Sequence, residues 1–137
     1  MSNNKFTAWP LSKAATREPA PTGDGAVVIN EVQTLIFNLR ETARHLGNKQ
    51  RVKLLQGVYD DLNARAEFGR AKYGTYLRAN NGRDALNDLQ QENYDAIMYS
   101  GQLRMQGDVE GSKWLETYIE IAVHLQALRE QRETKAA

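Results

Sequence analysis

From Val27 onward, apolar residues recur at intervals of three and four: Val28, Val32, Leu35, Leu39, Ala43 and Leu46. That is the period of an amphipathic helix, which turns one stripe to a core and the remainder to water. The spacing predicts a first helix over 28–46, closed by Gly47 and Asn48, because glycine adopts the left-handed conformation past a helix end without a Cβ clash. Val52, Leu55, Val58 or Tyr59, Leu62, Ala66 and Tyr73 line one side of a second helix over 50–73, stopped by Gly74. Thr75 to Gly82 has no apolar period and reads as a loop. Asn81 or Asp84 has the side-chain oxygen to cap a third helix, which runs to Gln106. After the break GDVEGS, a fourth helix over 111–133 places Trp114, Tyr118, Ile121, Leu125 and Leu128 at spacings of 4, 3, 4 and 3, a seam for another helix. Its polar end, REQRETKAA, is expected to fray into solvent.

No stretch alternates as a strand does, and VVI at 27–29 enters the first helical period. The expected fold is all-α: a four-helix bundle of antiparallel helices in a single domain over 26–137, completed by oligomerisation. Residues 1–25 hold all three prolines, Pro10, Pro19 and Pro21, and the turn-forming Gly23 to Gly25, which predicts a flexible N-terminal arm. Phe6 and Trp9 in that arm are suited to pack on a second subunit.

Composition narrows the chemistry. A length of 137 residues suits one domain. Eighteen basic against seventeen acidic residues leave a net charge of +1, without the positive field of a nucleic-acid-binding protein. The absence of cysteine excludes disulfides, thiolate metal sites and a cysteine nucleophile, and His45 and His124 are the only imidazoles. Any metal must therefore rest mainly on carboxylates. The opening lacks the apolar core of a signal peptide and no run of eighteen apolar residues occurs, so the expectation is a soluble, cytoplasmic protein with no membrane partner. No GxxxxGK[ST], GxGxxG or GxSxG motif is present.

The third helix carries the most informative pattern. Asp84, Asp88, Glu92 and Asp95 lie at spacings of 4, 4 and 3, so they fall within an arc of about 80°. Like charges so placed repel by a few tenths of a kcal/mol per pair. Tyr99 continues the stripe, and Leu86, Leu89, Ala96, Ile97, Met98 and Leu103 spread around most of the remaining surface, which predicts a helix buried on several sides. A hard cation such as Mg²⁺, or Mn²⁺, would offset the clustered charge and bridge to phosphate oxygens. The alternative is that Asp84 caps the helix while the other three form a solvated face.

Helix two offers Asp60, Asp61 and Glu67, able to approach that stripe from across a bundle. Arg65, Arg70, Lys72, Arg78 and Arg83 cluster around the intervening loop, a set suited either to phosphate or to neutralising nearby acids. Tyr73, Tyr76, Tyr94 and Tyr99 are able to stack on a base or to fill helix interfaces.

Three elements occur in order between Phe68 and Arg104: KYG at Lys72 to Gly74, NGRD at Asn81 to Asp84, and the ExxD of Glu92 and Asp95. This run resembles the mostly phage-encoded, MazG-like all-α nucleoside triphosphate pyrophosphohydrolases. The resemblance implies a bundle assembled as a homodimer or homotetramer, with carboxylates from two helices holding Mg²⁺. It implies conversion of a nucleoside triphosphate to the monophosphate and pyrophosphate. Carried onto this chain, it makes Glu92 and Asp95 the metal ligands, with Asp88, one turn earlier, a third; the site expected from the residues themselves takes Glu67, Glu92 and Asp95 as catalytic carboxylates and Lys72 and Arg83 as phosphate contacts. On helix two the family generally has an ExxE pair, where this chain has DDLNARAE. The rival reading is a catalytically silent helical module that binds nucleotide or another protein.

Overall fold

The computed structural model describes residues 23–137; Phe6, Trp9 and the three prolines lie outside them. The described residues form four helices: α1 (Val28–His45), α2 (Lys49–Tyr73), α3 (Ala85–Met105) and α4 (Val109–Ala136). The chain is all-α, and the described residues contain no strand, only an isolated bridge between Val27 and Arg78. None of the described helices is long and apolar enough to cross a membrane.

Local chemistry sets the boundaries. Asn48 caps α2 by accepting from the Arg51 N–H at 3.0 Å. Asp84 caps α3 by accepting from the N–H groups of Leu86 at 3.0 Å and Asn87 at 3.1 Å. Asn81 instead accepts from the Arg83 N–H at 3.1 Å, within the loop. Gly74 closes α2 at a φ of 77°, in the left-handed region. Helix α4 outruns its expected 111–133 at both ends. Asp108 caps it early by accepting from Gly111 at 3.0 Å. At the far end, the Glu, Arg, Gln, Lys and Ala residues expected to fray are strong helix formers and stay helical to Ala136.

The helices pair in sequence order, α1 with α2 and α3 with α4, each pair an antiparallel hairpin. Where periodicity predicts one domain over 26–137, the described residues fall into two compact units, 23–83 and 84–137.

In the first unit, Ile36 and Ala43 of α1 are buried and Val52, Leu55, Tyr59, Leu62 and Ala66 of α2 are half-buried. Gln33 donates to Asn63 across the pair at 3.2 Å, and Arg40 donates to Gln56. The loop after α2 is stitched to the residues before α1. Val28 N–H donates to Leu77 O at 2.9 Å, Ala79 N–H to Ala26 O at 2.9 Å, and Arg78 Nη1 to Gly25 O at 3.0 Å. A Cβ on Gly25 would lie 2.0 Å from the Ala79 carbonyl oxygen, so this approach needs glycine. Gly25, placed by sequence in the flexible arm, is part of this ordered pairing.

The second unit is polar where a core is usually apolar. Leu86, Ala122 and Leu125 are buried, but so are Asn87, Gln90, Asn93 and Ser100, all on α3. Asn93 Nδ2 donates to Tyr118 O at 3.1 Å, and Arg129 Nη2 to Asn87 Oδ1 at 3.0 Å. The amides of Gln90 and Gln126 donate to the Tyr94 hydroxyl at 3.0 and 3.2 Å. Gln90 is fully buried and its Oε1 accepts nothing. Leu89, Met98 and Tyr99 face outward, whereas Leu103 lies partly against Gly111 of α4. The expectation that α3 is buried on several sides is therefore corrected: it buries one side, and polar residues make most of it.

Candidate metal and phosphate site

The four carboxylates of the α3 run divide by environment. Asp84 accepts the first backbone N–H groups of the helix, as a cap does. Asp88, one turn on, is half-buried and engaged in a contact of its own. Glu92 and Asp95 are exposed, and among the described residues neither makes a hydrogen bond or ion pair. Three residues apart, they point from adjacent turns of one helix face.

Among the described residues no three Asp, Glu or His side chains come together as a metal cage. The donor chemistry nevertheless fits Mg²⁺. This ion dehydrates reluctantly and is commonly held by one or two carboxylates, with its own waters and substrate phosphates completing the octahedron. Glu92 and Asp95 supply two hard, solvent-accessible oxygen donors of that kind.

The other expected site residues, Glu67, Lys72 and Arg83, belong to the 23–83 unit, and Asp88, Glu92 and Asp95 to the 84–137 unit. Glu67 sits in a small cluster. Its carboxylate accepts from the Tyr76 hydroxyl and from Arg70 Nε at 2.9 Å, and the Arg70 guanidinium lies 5.7 Å from the Tyr76 ring centre. The Tyr76 hydrogen bond, then that of Arg70, holds the Glu67 carboxyl below the usual glutamate range. The same contacts push the Tyr76 hydroxyl and the Arg70 guanidinium up. These contacts tie the turn that follows α2 to the helix.

Lys72 is exposed in the last turn of α2, its ammonium 5.1 Å from the Tyr73 ring centre. Arg83 is half-buried. Arg78 is tied to Gly25, and the Arg65 guanidinium lies 5.4 Å from the Phe68 ring centre. On α2, Asp60 accepts from Gln56 at 2.9 Å and Asp61 is exposed. Tyr73 and Tyr99 are exposed, whereas Tyr76 and Tyr94 are half-buried and hydrogen-bonded. His45 and His124 are both exposed.

Periodicity does not reveal the Tyr76–Glu67–Arg70 cluster. The Glu67 and Arg70 pairing at i, i+3 is readable, but Tyr76 reaches Glu67 only because the chain reverses at Gly74. No protein family, curated protein or solved structure matches the chain.

Proposed function

We propose that the chain is a nucleotide pyrophosphohydrolase of the MazG-like kind, taking an NTP or dNTP with Mg²⁺ or Mn²⁺ and working as a homodimer or homotetramer. The observation that carries this reading is the exposed, unengaged pair Glu92 and Asp95 on one face of α3, within the run that bears the KYG, NGRD and ExxD elements. Glu92 and Asp95 would hold the cation, with Asp88 the third carboxylate of the same face. When bound, the cation neutralises triphosphate oxygens and makes phosphorus more electrophilic. Lys72 and Arg83 contact phosphate oxygens, Lys72 as a point charge and Arg83 as a planar fork. Glu67, held as an anion by Tyr76 and Arg70, ties the turn after α2 to the helix whose last turn carries Lys72.

Incubation with each common NTP and dNTP plus Mg²⁺ or Mn²⁺, followed by chromatography, tests the reading. Monophosphate plus pyrophosphate is expected, and Asp95→Asn should lower the rate by orders of magnitude with helicity retained, since it removes ligand charge while keeping shape. Diphosphate plus orthophosphate would indicate a different phosphohydrolase. A second reading, a catalytically silent helical module, draws on α3, which buries amides and leaves Leu89, Met98 and Tyr99 in solvent. Absence of turnover with any nucleotide and either metal, in folded and assembled protein, would favour it.

A further inference from the structure

The α3–α4 hairpin has one apolar side that the described residues leave open to solvent. Helix α4 turns Leu115, Ala122 and Arg129 toward α3, and α3 turns Gln90 and Ile97 toward α4, all of them buried or half-buried. One residue before each of these stand Trp114, Ile121 and Leu128 on α4 and Leu89 and Ala96 on α3, with Leu103 seven residues further on. A step of one residue turns about 100° around a helix axis. Because the helices are antiparallel, that same step leads to the same side of the pair. Arg129 on Asn87 and Gly111 beside Leu103 fix the register. They set the six in three rows: Leu89 with Leu128, Ala96 with Ile121, and Leu103 with Trp114. Leu89 and Trp114 are each 54% exposed, Leu103 41%, Leu128 38% and Ile121 37%. Ala96, the smallest of the six, makes the face lowest at its centre.

The chain before Gly23 has the chemistry to cover it. Phe6, Trp9 and Leu11 bring three large apolar side chains within six residues, too few for a core of their own. Lys5, Lys13 and Arg17 against Glu18 give residues 1–22 a net +2. Residues 84–137 carry five basic and ten acidic side chains, a net −5, and residues 23–83 carry ten basic and six acidic, a net +4. Charge thus draws the segment toward α3–α4 and away from α1–α2, where exposed Leu54 and Val58 are the competing apolar surface. Reach permits it as well. A Cβ on Gly23 would lie 3.3 Å from the Asn80 carbonyl oxygen, so the segment departs beside Asn80, and four residues of chain, at most about 14 Å, separate Asn80 from the Asp84 cap of α3. The twelve residues from Leu11 to Gly23 span up to about 40 Å, more than the roughly 32 Å length of α3. We infer that residues 5–11 dock on the α3–α4 face of their own chain, with Phe6 and Trp9 over the Ala96 and Ile121 row. A segment tethered in this way has an effective concentration of roughly millimolar, so it outcompetes the same segment from a second copy at micromolar concentration.

The test follows the indole of Trp9 in the full chain carrying Trp114→Phe, which leaves Trp9 the single tryptophan and keeps the face apolar. Circular dichroism checks folding. Trp9 emission should be blue-shifted from that of the urea-denatured chain and quenched several-fold less by acrylamide, without change on dilution through the micromolar range. Adding Ile121→Lys should move both readouts to the denatured values, whereas Leu54→Lys with Val58→Lys should leave them unchanged. Lys5→Glu with Lys13→Glu alters no described residue, so it separates loss of docking from loss of fold, and it too should expose Trp9. Leu128→Lys replaces Ile121→Lys if the latter loses helicity. An indole as exposed as in the denatured chain, exposure on dilution, loss of protection in the α2 variant, or protection that survives either the α4 variant or the lysine reversals would each overturn the inference.

Discussion

Glu67 illustrates how much a side chain's role depends on a contact that its neighbours in sequence do not announce. Tyr76 and Arg70 hold its carboxyl below the usual glutamate range, so the folded state favours the anion. The corresponding stabilisation is fully present above the unfolded value, ~4.3, and is lost as pH falls through the lower folded value. Urea midpoints measured between pH 6 and pH 3 should show wild type above Glu67→Gln at the upper end and the gap closing toward the lower. A gap independent of pH would mean that the charge at Glu67 contributes nothing. At this scale the caps were legible: Asp84 was one of two candidates from the sequence, and it is the one that accepts from Leu86 and Asn87. The need for glycine at position 25 was not, because it arises from the approach of Ala79, more than fifty residues away.

Helix α3 shows why periodicity fixes an element more readily than its orientation. Two stripes of fours and threes run along it: Leu86, Gln90, Asn93, Ile97 and Ser100, and Ala85, Leu89, Glu92, Ala96, Tyr99 and Leu103. Judged by hydrophobicity, the second is the natural choice for burial. The first packs on α4, where Asn93 donates to Tyr118 O and the adjacent Asn87 accepts from Arg129. Of the second stripe, Leu103 at the helix end does meet α4, and glycine at 111 permits it, since a Cβ there would come within 2.4 Å of the Leu103 Cβ. The α4 seam is likewise shared: Leu125 is buried and Tyr118 half-buried, while Trp114, Ile121 and Leu128, seven residues apart, stay exposed. Gln90 carries the stability consequence. Its Oε1 is buried without a partner, and such a group costs about 1–3 kcal/mol. Gln90→Leu keeps the volume, removes the orphan and gives up one hydrogen bond to Tyr94, which Gln126 still reaches. Denaturant unfolding should find this variant as stable as wild type or more so, by up to about 1 kcal/mol. A loss of 2 kcal/mol or more would show that the amide is needed where it stands.

At the scale of the whole molecule, helix number, order and approximate limits were legible because the apolar period and the glycine stops are local signals. The division into two units was not, since short connections and continuous periodicity carry no signal for where one compact unit ends and the next begins. The carboxylate stripe could be read as a line, but its inequality could not: capping occupies Asp84, a contact occupies Asp88, and Glu92 and Asp95 remain for a ligand. That pair makes a metal titration the most direct measurement. A cation that binds only the folded state stabilises it, by about 2.7 kcal/mol at a hundredfold excess over Kd. The melting temperature of wild type should therefore rise with Mg²⁺ or Mn²⁺. Glu92→Gln should abolish the rise while leaving the metal-free melting temperature unchanged or higher, because like-charge repulsion along α3 is relieved. A wild type indifferent to both metals, or a Glu92→Gln variant that responds as wild type does, would contradict the account and leave the acidic face of α3 a solvated surface.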